Sequence, residues 1–289
     1  MSGTRKLQGQ VAVVTGGGRG IGRAIAERLA TEGAAVAVIA RSAGQLADTV
    51  SGIQHIGGEA LAAPADVTKR EQVEEMVKRV EEDLGPISLL VNNAASLSVI
   101  GPTWEVDSDA WWRDVEVSLR GAFLCSQAVL RGMIGRGGGR IVNVTSLFGA
   151  RPSPYTTAYA CAKAALFRLS EGLAEEVHPH GIRVFSISPG WVRTAMADRL
   201  IHSEEGCKWL PWLSSLAGQE WVGPERAAAL VALLAAGGGD GLSGRYIYAL
   251  DDVRDLIDRA DEIHQHDLYV LRLRQWPAIQ LHTPHTWRS

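Results

Sequence analysis

VAVVTGGGRGIGRAIAERLAT, Val11 to Thr31, is the stretch on which the fold turns. Its first five residues are a continuous apolar run, mostly β-branched, as in a strand buried on both faces. From Ile21 to Thr31 the apolar residues recur at helical spacing, and Gly33 follows as a helix stop. Between strand and helix lie Gly16, Gly17, Gly18, Gly20 and Gly22. A tight turn needs one or two glycines and leaves the rest unexplained. Such a loop can approach a pyrophosphate closely, and the helix start behind it supplies N–H donors and partial positive charge. Strand, glycine loop and helix in that order predict a dinucleotide site.

The pattern repeats outward from there. Ala35–Ala40 (AVAVIA), Ile87–Asn92 (ISLLVN), Arg140–Thr145 (RIVNVT) and Arg183–Ser188 (RVFSIS) read as further buried strands. Helical spacing fills Glu71–Leu84, Trp111–Met133 and Ala158–Val177. The glycine-rich runs at 135–140 and 237–241 read as turns. Apolar strands alternating with helices predict an α/β, Rossmann-type doubly wound sheet, mostly parallel, with helices on both faces. One domain is expected over 1–250, with a substrate lid at 195–224. A C-terminal extension at 251–289 would consist of a helix plus an extended segment.

Bulk properties narrow the function. The 289 residues are 46% hydrophobic and 21% charged, with net charge −3, so no basic footprint invites nucleic acid. The polar start MSGTRKLQGQ predicts no signal peptide, and the apolar stretches at 33–40 and 227–236 are too short to span a bilayer. Three widely spaced cysteines, Cys125, Cys161 and Cys207, fit a reducing cytoplasm better than a disulfide framework. The histidines of HPH (178–180) and HQH (264–266) lack partners at metal-ligand spacing, so no metal site is expected.

YACAK, Tyr159 to Lys163, places a phenol and an ammonium four residues apart, on one face of a helix. A free tyrosine titrates near ~10, and a neighbouring cation favours its phenolate, so the pair has the makings of an acid/base device.

These motifs together resemble the short-chain dehydrogenase/reductase family, in its shorter single-domain branch. The resemblance rests on TGGGRGIG (15–22), Asp66–Val67, NNAA (92–95), Ser146, Tyr159-x-x-x-Lys163 and PGWVRT (189–194), in family order over roughly residues 7–250. It implies that Gly16, Gly18, Arg19, Gly20, Ile21 and Gly22 form the cofactor loop. Asp66 and Val67 would border the adenine, and Asn93, Ala94 and Ala95 the adenosine ribose; the family commonly has glycine where Ala95 stands. Pro189, Gly190, Val192 and Thr194 would hold the nicotinamide. Tyr159 would transfer the proton, Lys163 would lower its pKa and bond the nicotinamide ribose, and Ser146 would donate to the substrate oxygen. The fourth member of the family's set, usually asparagine in N-x-x-G, corresponds to Ser118 in VSLRGAF. Serine keeps the backbone carbonyl of the family's proton relay and lacks the longer amide. Thr145 and Tyr155 are neighbours of the same residue types, set aside because their spacing misses the motif.

The second strand ends Ile39-Ala40-Arg41-Ser42, with no carboxylate to meet ribose hydroxyls. Arg41 there, with Arg19 in the loop, suits a 2′-phosphate through charge-assisted bonds. NADP(H) is therefore the expected cofactor, and NAD(H) the alternative. Trp209, Trp212 and Trp221 in the lid suggest a bulky hydrophobic ketone or alcohol, although rings like these also serve as core or subunit packing. Beyond the last strand, Val253, Leu256, Ile257, Ala260 and Ile263 mark an amphipathic helix. Its stripe must be buried against its own core or a neighbour; residues 251–276 are expected to contribute to a subunit interface, and the family resemblance implies a homodimer or homotetramer. The expected activity is an NADP(H)-dependent carbonyl reductase or alcohol dehydrogenase. Its rivals are an NAD-linked catabolic dehydrogenase and a non-catalytic NADP(H)-sensing regulator.

Overall fold

A computed structural model describes residues 5–213 and 221–273. Among them, seven strands form one parallel sheet: β1 (Val11–Thr15), β2 (Ala35–Ala40), β3 (Ala60–Pro64), β4 (Ile87–Asn92), β5 (Gly139–Val144), β6 (Ile182–Ser188) and β7 (Tyr246–Tyr248). Their order is β3-β2-β1-β4-β5-β6-β7, so the chain starts mid-sheet, winds to one edge, then returns and winds to the other. The reversal falls between β1 and β4. A crevice opens at such a switch point, outside the carboxyl ends of the strands.

The helices are α1 (Gly20–Thr31), α2 (Ala43–His55), α3 (Arg70–Asp83), α4 (Ser108–Val115), α5 (Gly121–Arg136), α6 (Thr157–Val177), α7 (Ala195–His202), α8 (Glu204–Trp209), α9 (Pro224–Ala235), α10 (Val253–Asp258) and α11 (Ala260–Gln265). Alternate strand residues point to opposite faces. Ala12 and Val14 pack with Ile25 and Leu29 of α1, Leu46 of α2 and Val231 of α9. Val11 and Val13 pack with Val73 and Val80 of α3, Met133 of α5 and Val177 of α6. Both faces are covered, which is why the strand sequences are apolar throughout instead of alternating.

The sequence reading passes over α2 and β3, and it assigns no helix to α7, α8 or α9. ALAAP has no β-branched residue and little strand propensity of its own. The ladder from Val36↔Ala60 to Ala40↔Pro64 imposes its conformation, and Pro64 is tolerated because β3 is an edge strand. The helix expected over Trp111–Met133 is interrupted by a π-helical turn at Glu116–Arg120. Gly121 follows, where a Cβ would lie 2.6 Å from Val67 Cγ2, so only glycine lets the backbone pass there. Beyond β7 the expected single helix breaks at Arg259 into α10 and α11. Leu256 and Ile263 are buried in the core shared with α1 and α9, with Val253 and Ile257 packed beside them. Much of the apolar stripe is thus buried within its own chain. The tail then turns back, Tyr246 N donating to Tyr269 O at 2.9 Å, and Arg272 is ion-paired to Glu171 and Asp267. Residues 214–220 of the expected lid and 274–276 of the tail lie outside the described residues. No described helix is long and apolar enough to cross a membrane.

Candidate active site

The turn after β1 is built for close approach. Gly16 has φ +65°, and a Cβ on Gly22 would come within 2.3 Å of the Gly16 carbonyl oxygen. No side chain caps the start of α1, and no carboxylate stands in its first turn. Its leading amides are therefore free to meet an anion. Thr15 and Asn93 bind this loop to the end of β4. Asn93 Nδ2 donates to Thr15 O at 2.9 Å, and the Asn93 and Ala94 amides each donate to Thr15 Oγ1 at 3.0 Å. Ala95 follows, partly buried. Across the crevice, a Cβ on Gly20 would lie 3.4 Å from Thr194 Cγ2. Residues far apart in the chain thus face each other over one gap. Thr194 also caps α7, accepting from Ala197 N at 3.2 Å, and Gly190 turns at φ +81°. Buried Val192 pairs in a bridge with Val222.

Asp66 and buried Val67 follow β3. Burial pushes the Asp66 carboxyl upward. The Thr68 amide (3.0 Å) and hydroxyl (2.8 Å) outweigh it, with the charges of Arg41 and Lys69, and leave it below the usual carboxylate range. Arg19 and Arg41 are exposed, and neither guanidinium forms a salt bridge or hydrogen bond among the described residues; Arg41 reaches Asp66 only by longer-range attraction. The loop, the uncapped helix and these two guanidiniums fit a dinucleotide, phosphate end inward. Among the described residues, no three His, Cys, Asp or Glu side chains gather as a metal site.

Ser146 follows β5 and Tyr159 lies in the first turn of α6. The structure separates them from their neighbours of like type. Thr145 is buried, its hydroxyl spent on Ile187 O at 2.8 Å, and Tyr155 turns away into a ring contact with Trp209. Burial pushes the Tyr159 hydroxyl up to about 12, against the pull of its hydrogen bond with Ser146. Lys163, 2% exposed, donates Nζ to Val144 O at 2.6 Å and is pushed down to about 7 by burial. Its ammonium stands 5.5 Å from the Tyr159 ring centroid. Desolvation leads both shifts, and Lys163 is not among the causes acting on Tyr159, so burial favours the neutral form of each.

Ser118 lies fully buried in the π-helical turn. Its Oγ accepts from Ser96 N at 3.1 Å and donates to Ser96 O at 3.4 Å, so it holds the chain leaving β4. One turn earlier sits Asp114, 1% exposed, which sequence reading missed. Its carboxylate accepts from the Ser96 and Ser98 hydroxyls and from the Ser98 and Val99 amides, at 2.6 and 3.0 Å. A signal existed in hindsight: an aspartate among apolar neighbours on a helix, facing a serine-rich loop.

That loop packs into an apolar cluster. Leu97 and Ile100 join Leu200, Ile201, Leu210 and Leu213, with Phe148, Tyr155, Tyr159, Trp191, Trp209 and Trp221 packed against them. Phe148 stands edge-on to Tyr159 (6.1 Å) and to Trp191 (5.6 Å), which in turn meets Trp212 at 6.3 Å. The three lid tryptophans thus join the group that holds Tyr159. A separate groove of about 510 Å³ between α3 and α5, lined by Val73, Val77, Leu124 and Arg131, holds none of these residues.

Residues 10–205 match the family model described as short chain dehydrogenase. A short chain dehydrogenase of Pseudocercospora fijiensis is 39% identical over 66% of this chain, the match spanning 62% of that relative's length. Galactitol 2-dehydrogenase of Rhizobium johnstonii is 35% identical over 84% of this chain and 94% of its own. The crystal structure of levodione reductase superposes with a TM-score of 0.78 at 29% identity, covering 86% of this chain and 98% of that one.

Proposed function

Because the chain belongs to the short-chain dehydrogenase family and is thereby an NAD(P)-dependent oxidoreductase, we propose that it is an NADP(H)-dependent carbonyl reductase, converting a bulky hydrophobic ketone to its secondary alcohol. One observation carries this reading: Tyr159, close enough to Ser146 for that hydroxyl to lower its pKa, packs against a cluster of aromatic and aliphatic side chains. The nicotinamide, when bound, supplies the hydride. Tyr159, neutral at working pH because burial raises it, gives its proton to the substrate oxygen. Ser146 donates to that oxygen as its charge grows. Lys163 anchors the site through Val144 and offers its remaining protons toward the cofactor ribose. Ser118, bonded to Ser96, holds the loop in place of a longer amide.

NADP(H) in preference to NAD(H) is supported by Arg19 and Arg41, exposed and without ion-pair partners among the described residues, and by the absence of an acidic residue at the end of β2. The NAD-linked reading draws on the relative named galactitol 2-dehydrogenase. Surroundings of leucine, isoleucine and aromatic rings beside Tyr159 suit a polyol poorly. Cytoplasmic location is supported by three unpaired cysteines. Assembly as a homodimer or homotetramer is part of this reading, with Leu268 and Leu273 of the tail exposed. A panel of ketones and alcohols, run with each nicotinamide and followed by reduced-nicotinamide absorbance, tests the whole. NADPH oxidation with apolar ketones is expected; turnover only of polyols with NAD would overturn it.

A further inference from the structure

Tyr155 has φ +66°, a left-handed backbone that a bulky side chain adopts only under strain. Glycine would accept that conformation freely, and asparagine readily. The chain instead spends this position on a large ring. The conformation is held from outside: the Tyr155 carbonyl accepts from Gly101 N at 2.8 Å, and Trp111 Nε1 fixes Thr157, two residues on, at 3.0 Å. Gly101 itself has φ +153°, a backbone that side-chain-bearing residues rarely adopt, and Trp209 Nε1 lies at contact distance from where its Cβ would be, 3.9 Å.

With its backbone so fixed, the Tyr155 ring meets the Trp209 ring at 5.1 Å between centroids and 31° between planes. The Lys208 ammonium lies over the same indole at 4.7 Å. Both rings are half-buried, and both pack against the cluster that contains Tyr159, Leu97 and Ile100. A residue needed only for packing has no reason to remain at a strained position that it does not fill to burial. Strain retained beside a reacting group points to use of the ring.

We propose that Tyr155 and Trp209 form an aromatic clamp that selects flat, ring-bearing carbonyl substrates over flexible ones of equal apolar size. The inference rests on the carbonyl-reductase reading for its substrate class. A rigid ring stacks offset on this pair with little lost freedom, whereas an alkyl chain must be ordered to gain the same contact.

Acetophenone and 2-octanone, each with eight carbons, are the probes. Binding to the wild type and to Tyr155→Gly is measured by ligand-observed NMR without turnover; reduction with NADPH is measured separately. The wild type should bind acetophenone about fivefold to tenfold more tightly than 2-octanone. Tyr155→Gly should abolish that difference by weakening acetophenone alone, and Tyr155→Phe should retain it. Because glycine relieves the strain, the melting temperature of Tyr155→Gly should not fall. Equal binding of the two ketones by the wild type, binding of neither, or a variant that weakens both alike would overturn the clamp. Selective binding with no reduction under any cofactor would overturn the reductase reading and leave the clamp standing.

Discussion

The Lys163 ammonium donates to the Val144 carbonyl at 2.6 Å, tying the middle of α6 to the last residue of β5. Val144 lies two residues before Ser146, and Lys163 four after Tyr159, so one bond sets the spacing between the two hydroxyls of the site. The lysine is in this sense a strut as well as a charge.

Its burial has a measurable consequence for stability. Lys163 falls to about 7 in the folded protein from an ordinary value of 10.5. Between those values the unfolded chain holds a proton that the folded one lacks, so this group raises stability as pH rises, by at most about 1.4 kcal/mol per pH unit. Urea unfolding of the cofactor-free protein at pH 7, 8.5 and 10 (about these values, spanning the window) should show the wild type gaining on Lys163→Met. Parallel pH profiles would show that the lysine keeps its ordinary proton.

Tyr159→Phe should lower turnover about a thousandfold, since only the transferable proton is lost. Titration of NADPH fluorescence should give a cofactor affinity close to that of the wild type. Retention of most of the activity would assign the proton to another group.

Arg41→Ala should weaken NADPH about tenfold or more while leaving NADH nearly unchanged, because only the former carries the phosphate the guanidinium would meet. Ala40→Asp should reverse the preference by repelling that phosphate. Affinities for both nucleotides, measured side by side, decide; equal losses for both would mean that Arg41 acts on a part they share.

Asp114→Ala should cost about 3 kcal/mol in urea unfolding, since four donors of the loop at 96–99 lose a charged acceptor. Asp114→Asn should cost less, because one oxygen still accepts while the amide opposes the main-chain donors. The loop carries Leu97 of the apolar cluster that Tyr159 packs against, so KM for an apolar ketone should rise more than kcat falls. A change in kcat alone would place Asp114 in the chemistry itself.

The legible parts of the molecule are those written in short-range pattern. A β-branched run such as Val11–Thr15 announces a strand buried on both faces, and five glycines ahead of a helix announce a phosphate loop. The pairing of Tyr159 with Lys163 follows from helical geometry alone, and the order of strands and helices implies the doubly wound sheet.

What only the tertiary structure decided depends on contacts that no local period encodes. β3 exists because β2 lends it a ladder. Ser146 is distinguished from Thr145 by which hydroxyl the next strand consumes. Asp114 acquires its role from a loop that reaches it across fifteen to eighteen residues of chain. The stripe of α10 and α11 packs into the core of its own chain, and the pKa values of Tyr159 and Lys163 follow burial more than their mutual distance. In each case the deciding term is desolvation or a long-range hydrogen bond, and both are settled only when distant parts of the chain have packed.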